Sequence, residues 1–218
     1  MKGKIKSVEI PNIKLIEEPF PYSIHKKLHG ENWTAEDYNK FTEKEKDKLA
    51  NDAAKFFMEL HSIEINDELG LNKNLEVLEI EKYLSNEFTE KEIAKINDYV
   101  KPLYNLEDKH LLHTDFYYGN SLLNKNRELK CVFDFGNTCY RNYHFEFLDL
   151  ISPEAGEADM LKRITKYYNK KIDMEIIKIM DIYNKIACCI YLVNNDKIKE
   201  EKIDNWNKKI QDIKFFIK

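Results

Sequence analysis

Two short stretches carry the residues best suited to chemistry. The first, HTDFYYGN, places Asn120 five residues after Asp115, and the second, DFG, begins with Asp134 after an apolar run. Phosphoryl transfer needs one carboxylate beside the acceptor hydroxyl, and oxygen ligands that hold Mg²⁺ against the phosphates. Carboxylate and amide oxygens are hard ligands that suit Mg²⁺. The spacing therefore predicts phosphoryl transfer, with Asp115 beside the acceptor and with Asn120 and Asp134 as magnesium ligands.

The combination of the two motifs is more specific than either motif alone. H-x-D and D-F-G each occur by chance in many chains. Here they stand in the order of the catalytic and metal-binding loops of protein kinases, with D-x-x-x-x-N and two short predicted strands between them. The plain alternative is that Asp115 and Asp134 cap turns. For His113 we expect structural support of the loop by hydrogen bonding, not proton transfer.

The elements around these motifs follow from periodicity and capping residues. Residues 10–16 and 22–28 alternate apolar and polar side chains, which predicts a β-hairpin. Thr42 and Thr89 each precede a glutamate by three residues, and these capping boxes predict the starts of two helices. Other expected elements are a helix over 76–86, strands over 121–123 and 129–135 joined by a turn, and helical segments over 145–151, 159–169, 174–193 and 200–216.

Composition and charge exclude several classes of protein. The chain has 218 residues, of which 43% are hydrophobic, so it can bury a sizeable core. A net charge of −4 argues against a general nucleic-acid partner, and no apolar run is long enough to span a membrane. The four cysteines form no C-x-x-C pair, which argues against a zinc site. We expect a reduced, cytoplasmic protein with neither nucleic-acid nor membrane partners.

The motifs and their flanks resemble the aminoglycoside phosphotransferase and choline kinase family. That family's motif reads roughly HGDxxxxN followed by IDF or IDW, and here HTDFYYGNSLL is followed by CVFDFG. The segment PYSIHKKLHGENW is similar to the family's hinge, and the helix that starts at Thr42 ends in a pattern similar to its LxxLH. The resemblance covers the chain from about residue 10.

The resemblance implies an α+β, protein-kinase-like fold. We expect residues 1–30 to form residual strands of the N-terminal lobe and its hinge, and residues 31–218 to form a mainly α-helical C-terminal lobe with short β-hairpins. The catalytic loop would be residues 113–120 and the metal loop residues 134–136. Few residues precede the hinge, and none of the six glycines forms a Gly-rich loop. The resemblance therefore implies a truncated or split form, in which a separate chain could supply the remaining part of the N-terminal lobe.

The activity that the resemblance implies is transfer of the γ-phosphate of ATP or GTP to a hydroxyl of a small polar, aminoglycoside-like acceptor, with Mg²⁺. Asp115 is similar to the family's catalytic aspartate, and Asn120 and Asp134 are similar to its magnesium ligands. The hinge near Lys26 and Leu28 would offer backbone groups to the nucleotide base.

Three acidic residues are candidates for binding a cationic acceptor. Glu154, Glu157 and Asp159 would attract such a ligand by Coulomb steering if they lie near the cleft. The alternative is a solvated helix start, where acidic residues are favoured.

Departures from the family pattern keep other functions open. Asn137 stands where the family usually has an acidic residue after DFG, Asn142 matches a later aspartate, and Glu146 matches the acid that follows. The alternative function is a catalytically inactive kinase-like binding or regulatory module. A metal-dependent hydrolase that uses His113 with the two aspartates is a weaker third hypothesis.

Overall fold

The computed structural model describes residues 3–16, 22–65, 71, 75–151, 157–194 and 200–217. Their contacts define two compact units: a first unit of residues 1–73 and 108–172, and a second unit of residues 74–107 and 173–218. Helices dominate, and three two-stranded antiparallel sheets accompany them, which confirms the predicted α+β class. The lobe boundary predicted at residue 30 stays a prediction.

All three sheets lie in the first unit. The hairpin predicted before residue 30 is confirmed, with shorter strands, and the strand predicted over 129–135 ends early at Val132. One pair of strands was not predicted, because its members lie far apart in the sequence and show no clear alternation. The pairs are β1 (Ile13–Ile16) with β2 (Tyr22–His25), β3 (Lys109–Leu112) with β6 (Cys139–Asn142), and β4 (Ser121–Leu123) with β5 (Leu129–Val132).

The longest helix of the first unit supports the motif-bearing loops. Residues Ala35–Lys40 form α1, Glu43–His61 form α2, and Glu157–Ile164 form α5. The predicted capping box at the start of α2 is present, since the hydroxyl of Thr42 accepts from the N–H of Glu45 and the Glu45 carboxylate accepts in return. The predicted apolar face of α2 is buried, and its Phe56 and Phe57 rings pack on Phe116, with ring centroids 6.0 and 4.9 Å away. The α2 helix thus packs directly against the HTDFYYGN segment.

The segment before the hairpin is also fixed to the first unit. One oxygen of the Glu59 carboxylate, on α2, accepts hydrogen bonds from the N–H groups of Lys6 and Ser7 at 2.7 and 2.8 Å. Glu9 then pairs in parallel with β5, donating to the carbonyl of Lys130 at 2.8 Å and accepting from the N–H of Val132 at 3.0 Å.

The second unit is helical. The capping box at Thr89 is present as predicted, but the helix expected over 76–86 is only five residues long. Glu79 at its start provides no side-chain cap, and before it the carbonyl of Glu76 accepts from the hydroxyl of Tyr183 at 2.9 Å. The helices are α3 (Ile80–Leu84), α4 (Glu90–Val100), α6 (Met174–Asn194) and α7 (Glu200–Phe216).

Two helical expectations differ in detail. The segment expected over 145–151 consists of two 3-10 turns, Tyr143–Phe147 and Asp149–Ile151. The helix expected over 159–169 is α5, which ends at Ile164. Within the described ranges, no helix is long and apolar enough to cross a membrane.

Candidate active site

The catalytic loop predicted over residues 113–120 follows β3 and is held by the ring of His113. The ring is buried, accepts at Nδ1 from the N–H of Asp115 at 3.3 Å, and donates from Nε2 to the carbonyl of Phe133 at 2.9 Å. Because Nδ1 accepts, the proton is assigned to Nε2. Phe135 packs edge-on against the ring at 4.6 Å. His113 therefore links the catalytic loop to the segment that leads into DFG.

Asn120 and Asp134 are brought to the same place by the backbone. The carbonyl of Asn120 accepts from the N–H of Phe133 at 3.0 Å, one residue before Asp134. The side-chain amide of Asn120 donates to the carbonyl of Asp115 at 2.9 Å, so its Oδ1 remains available as a ligand. Asp134 adopts a left-handed conformation, with φ 62° and ψ 64°, and its carboxylate is exposed. Hydrogen bonds thus join the segments that carry Asp115, Asn120 and Asp134.

These donors fit a magnesium ion. One carboxylate and one amide oxygen are hard ligands, and Mg²⁺ is usually held by one or two protein groups together with water and substrate phosphates. In the part of the chain that the structure describes, no three His, Cys, Asp or Glu side chains gather as a metal cluster. The pair formed by Asn120 and Asp134 would hold the ion jointly with a nucleotide.

The buried carboxylate of Glu146 supports the catalytic loop by accepting hydrogen bonds from its backbone. Glu146 accepts from the N–H groups of His113 and Thr114 at 2.8 and 3.1 Å, and pairs with Nε2 of His61 at 3.1 Å. The other ring nitrogen of His61 lies 2.6 Å from the hydroxyl of Tyr168. Burial, followed by the charge of Glu146, raises the pKa of Tyr168, so its hydroxyl stays protonated and donates to His61. All partners of Glu146 then act as donors, which fits an ionised carboxylate.

Sequence reasoning missed Asp149, which starts the second 3-10 turn. Its carboxyl group keeps part of its surface exposed, and it makes no hydrogen bond with any described residue. Partial burial raises its pKa to about 6, and the negative charges of Asp115 and Glu146 add to this shift. No local motif marks this residue, because the shift arises from tertiary neighbours.

The three acids predicted to bind the acceptor differ in what the structure shows. Asp159 accepts from Nε of Arg163 at 2.7 Å and from the hydroxyl of Tyr38 at 2.9 Å, so its charge is compensated within the first unit. Glu157 begins α5, and only its backbone is described, whereas Glu154 lies outside the described residues. Their role in acceptor binding stays a prediction.

The predicted hinge is attached to β4. Lys26 is exposed and Leu28 is half-buried in the segment after β2. A Cβ atom at Gly30 would lie 2.6 Å from the Cβ of Leu122, so this close approach requires glycine. The next residue, Glu31, exchanges two backbone hydrogen bonds with Leu123 at 2.8 and 3.0 Å. The hinge-like segment is thus fixed beside the strand that leaves the catalytic loop, and its contact with a nucleotide stays a prediction.

Comparisons with known proteins identify the family and the fold of the chain. A model of the phosphotransferase enzyme family (APH) matches residues 8–178. The gentamicin complex of APH(2")-IIa is 26% identical, with a TM-score of 0.72 over 95% of this chain and 75% of that chain. ADP-bound aminoglycoside phosphotransferase APH(2'')-Ib is also 26% identical, with a TM-score of 0.72 over 97% of this chain and 76% of its own. A GDP complex of aminoglycoside 2'-phosphotransferase-IIIa shares the fold at 17% identity, with a TM-score of 0.72 over 98% and 77% of the two chains. The chain therefore belongs to the phosphotransferase enzyme family and has its kinase-like fold.

Proposed function

We propose that the chain transfers the γ-phosphoryl group of ATP or GTP to a hydroxyl group of a small polar, aminoglycoside-like acceptor. One observation carries this proposal: hydrogen bonds through His113 and Asn120 join the catalytic loop to the metal loop. These bonds support the proposal that Asp115 acts next to Asn120 and Asp134, the pair proposed to hold Mg²⁺. This is the set of groups that phosphoryl transfer requires.

Asp115 acts on the acceptor. Its carboxylate orients the acceptor hydroxyl and takes the proton as the oxygen attacks the γ-phosphorus. The new oxygen–phosphorus bond forms while the bond to the β-phosphate oxygen breaks, and the nucleoside diphosphate leaves. Bound Mg²⁺ would neutralise the charge on the phosphate oxygens.

The nucleotide and acceptor assignments draw on the structural neighbours. One neighbour, APH(2")-IIa, was solved with streptomycin and ATP and also with gentamicin, and another neighbour was solved with GDP and kanamycin. We propose that the backbone near Lys26 and Leu28 contacts the base. Glu154, Glu157 and Asp159 are proposed to attract the amino groups of the acceptor, because opposite charges steer association.

The test measures transfer and binding separately. Label transfer from γ-labelled ATP and GTP is assayed against a panel of aminoglycosides, and calorimetry measures nucleotide binding with and without Mg²⁺. We expect Asp115→Asn to bind nucleotide normally but to transfer at least about 100-fold more slowly. We expect Asp134→Asn to lose the magnesium-dependent part of nucleotide binding. Asp98→Asn, on an exposed position of α4, is the matched control.

The possible outcomes separate the alternatives. Binding without transfer would favour a split form that needs a second chain. A wild-type protein that binds neither nucleotide would favour the inactive binding or regulatory module. Full turnover in Asp115→Asn would contradict the role given to that carboxylate.

A further inference from the structure

Thr114 holds an unfavourable backbone conformation inside the catalytic loop. Its φ is 63°, in the left-handed region, which a β-branched side chain occupies only at an energetic cost. Asp134 shares this region, but aspartate tolerates it better because its short polar side chain can hydrogen-bond locally. Strain of this kind persists only where the surroundings enforce it. The contacts of Thr114 should therefore show what holds it in this conformation.

Two hydrogen bonds hold Thr114 in place. Its N–H donates to the buried carboxylate of Glu146 at 3.1 Å. Its hydroxyl donates to the backbone carbonyl of Asn137 at 2.8 Å. The second bond joins the catalytic loop directly to the residue that follows DFG.

Asn137 makes a second hydrogen bond between the two loops, through its side chain. Its side-chain amide donates to Oδ2 of Asp115 at 3.4 Å, a long bond that is assisted by the carboxylate charge. Oδ1 of Asp115 has no hydrogen-bond partner among the described residues, so it is free to meet an acceptor hydroxyl. Asn137 thereby touches both residues of the Thr114–Asp115 pair.

We propose that Thr114 and Asn137 form a clasp that positions the Asp115 carboxylate relative to the metal loop. The clasp consists of the hydrogen bond from the Thr114 hydroxyl to the Asn137 carbonyl and the hydrogen bond from the Asn137 amide to Asp115. Both are positioning residues, and the inference rests on the proposed phosphotransferase function. The clasp holds Oδ2 of Asp115 against the metal loop, and this fixes the direction in which Oδ1 faces the acceptor. Misplacement of a reacting group by about 1 Å can slow an enzyme about 100-fold.

The strain at Thr114 gives the clasp a distinctive signature. Thr114→Gly removes the hydroxyl but also relieves the backbone strain, since glycine adopts positive φ freely. We therefore expect Thr114→Gly to have an unfolding midpoint no lower than the wild-type protein, yet about a tenfold lower kcat. A residue with only a structural role would not separate stability from turnover in this way.

The experiment compares three substitutions at this position. Thr114→Val keeps the branched shape without the hydroxyl and is expected to match the tenfold loss of kcat, with an unchanged nucleotide Kd. Thr114→Ser keeps the hydroxyl and is expected to rescue kcat to within about twofold. Thr165→Val is the matched control, because the hydroxyl of Thr165 donates to the carbonyl of Lys162 at 2.7 Å on the exposed end of α5. Its kcat is expected to equal that of the wild-type protein.

Specific results would overturn the clasp. They are a wild-type kcat in Thr114→Gly or Thr114→Val, or a Thr114→Ser variant as slow as Thr114→Val. If the wild-type protein neither transfers phosphate nor binds nucleotide, the proposed function fails. In that case, and also if the protein binds nucleotide without transfer, amide hydrogen exchange over residues 113–117 and 134–138 decides about the clasp alone. Faster exchange in Thr114→Val than in Thr165→Val would support the link between the loops, and equal exchange would rule it out.

Discussion

The two compact units differ in where they bury polar groups. Among the described residues, every buried polar or charged side chain lies in the first unit, whereas the second unit buries an apolar core on α3, α4, α6 and α7. The buried polar residues of the first unit are Asp52, His61, His113, Asn120, Ser121, Asn142, His144, Glu146 and Arg163. Buried polar networks fix a geometry, but they contribute less reliably to stability than apolar packing does.

Backbone strain follows the same division. The described non-glycine residues with positive φ are Thr114, Arg127 and Asp134, and all three lie in the first unit. Two of them, Thr114 and Asp134, lie in the candidate active site. The first unit therefore combines buried polar groups with strained backbone, a combination that proteins use at functional sites, whereas the second unit buries an apolar core.

The largest effect should come from Glu146→Gln. The change puts amide hydrogens against backbone N–H donors and removes the charge that His61 faces, in a site where the Glu146 side chain is fully buried. Hydrogen bonds to a charged acceptor contribute about 1.5–3 kcal/mol each. We therefore expect the free energy of unfolding, measured by urea denaturation, to fall by about 3–5 kcal/mol. Glu107→Gln, at an exposed position, is the control. A decrease in the free energy of unfolding below about 1 kcal/mol would show that the hydrogen bonds of Glu146 contribute little to the stability of the first unit.

A core truncation in the second unit should affect stability only. Ile96 on α4 is fully buried, so Ile96→Ala is expected to lower the free energy of unfolding by about 3 kcal/mol. At a temperature where the variant is folded, its kcat and nucleotide Kd should equal those of the wild-type protein. A change in kcat comparable to that of Thr114→Val would break the division of roles between the units.

The smallest effect concerns Asp149 and depends on pH. Its pKa rises on folding from 3.8 to about 6, so between these values the folded state binds more protons than the unfolded state. The free energy of unfolding therefore falls as pH rises from about 4 to 6, and the destabilisation is fully present above pH 6. Because solvent screens this partly exposed group, Asp149→Asn should stabilise the protein at pH 7.5 by about 1 kcal/mol or less.

Thermal denaturation at two pH values tests this prediction. Asp149→Asn should raise Tm by about 2–4 °C at pH 7.5 and leave it unchanged near pH 4. Asp98→Asn serves again as the exposed control. An equal shift of Tm at both pH values would show that the charge of Asp149 is not the cause.

The sequence predicted what depends on local patterns. The capping boxes at Thr42 and Thr89, the first hairpin and β4 with β5 follow from neighbouring residues, and the structure confirms them. The fold class followed from the resemblance carried by HTDFYYGN and DFG, and the family match confirms it. The roles assigned to the site residues stay predictions.

What the sequence did not reveal depends on distant partners. Leu112 of β3 faces Cys139 of β6, and no local alternation marks either strand. Thr114 and Asn137 meet only because two loops are adjacent in space. Arg163 binds Asp159 one helical turn away and also pairs with Glu43 on α2, a contact that the local sequence does not indicate.

The partners of Glu146 also have a consequence for synthesis of the chain. Its carboxylate joins residues 33 and 85 positions away, and His61 in turn reaches a hydroxyl 107 positions along the chain. Contacts of such sequence separation close large loops and form late in folding. A nascent chain therefore cannot complete the hydrogen bonds that support its catalytic loop until Tyr168 has left the ribosome.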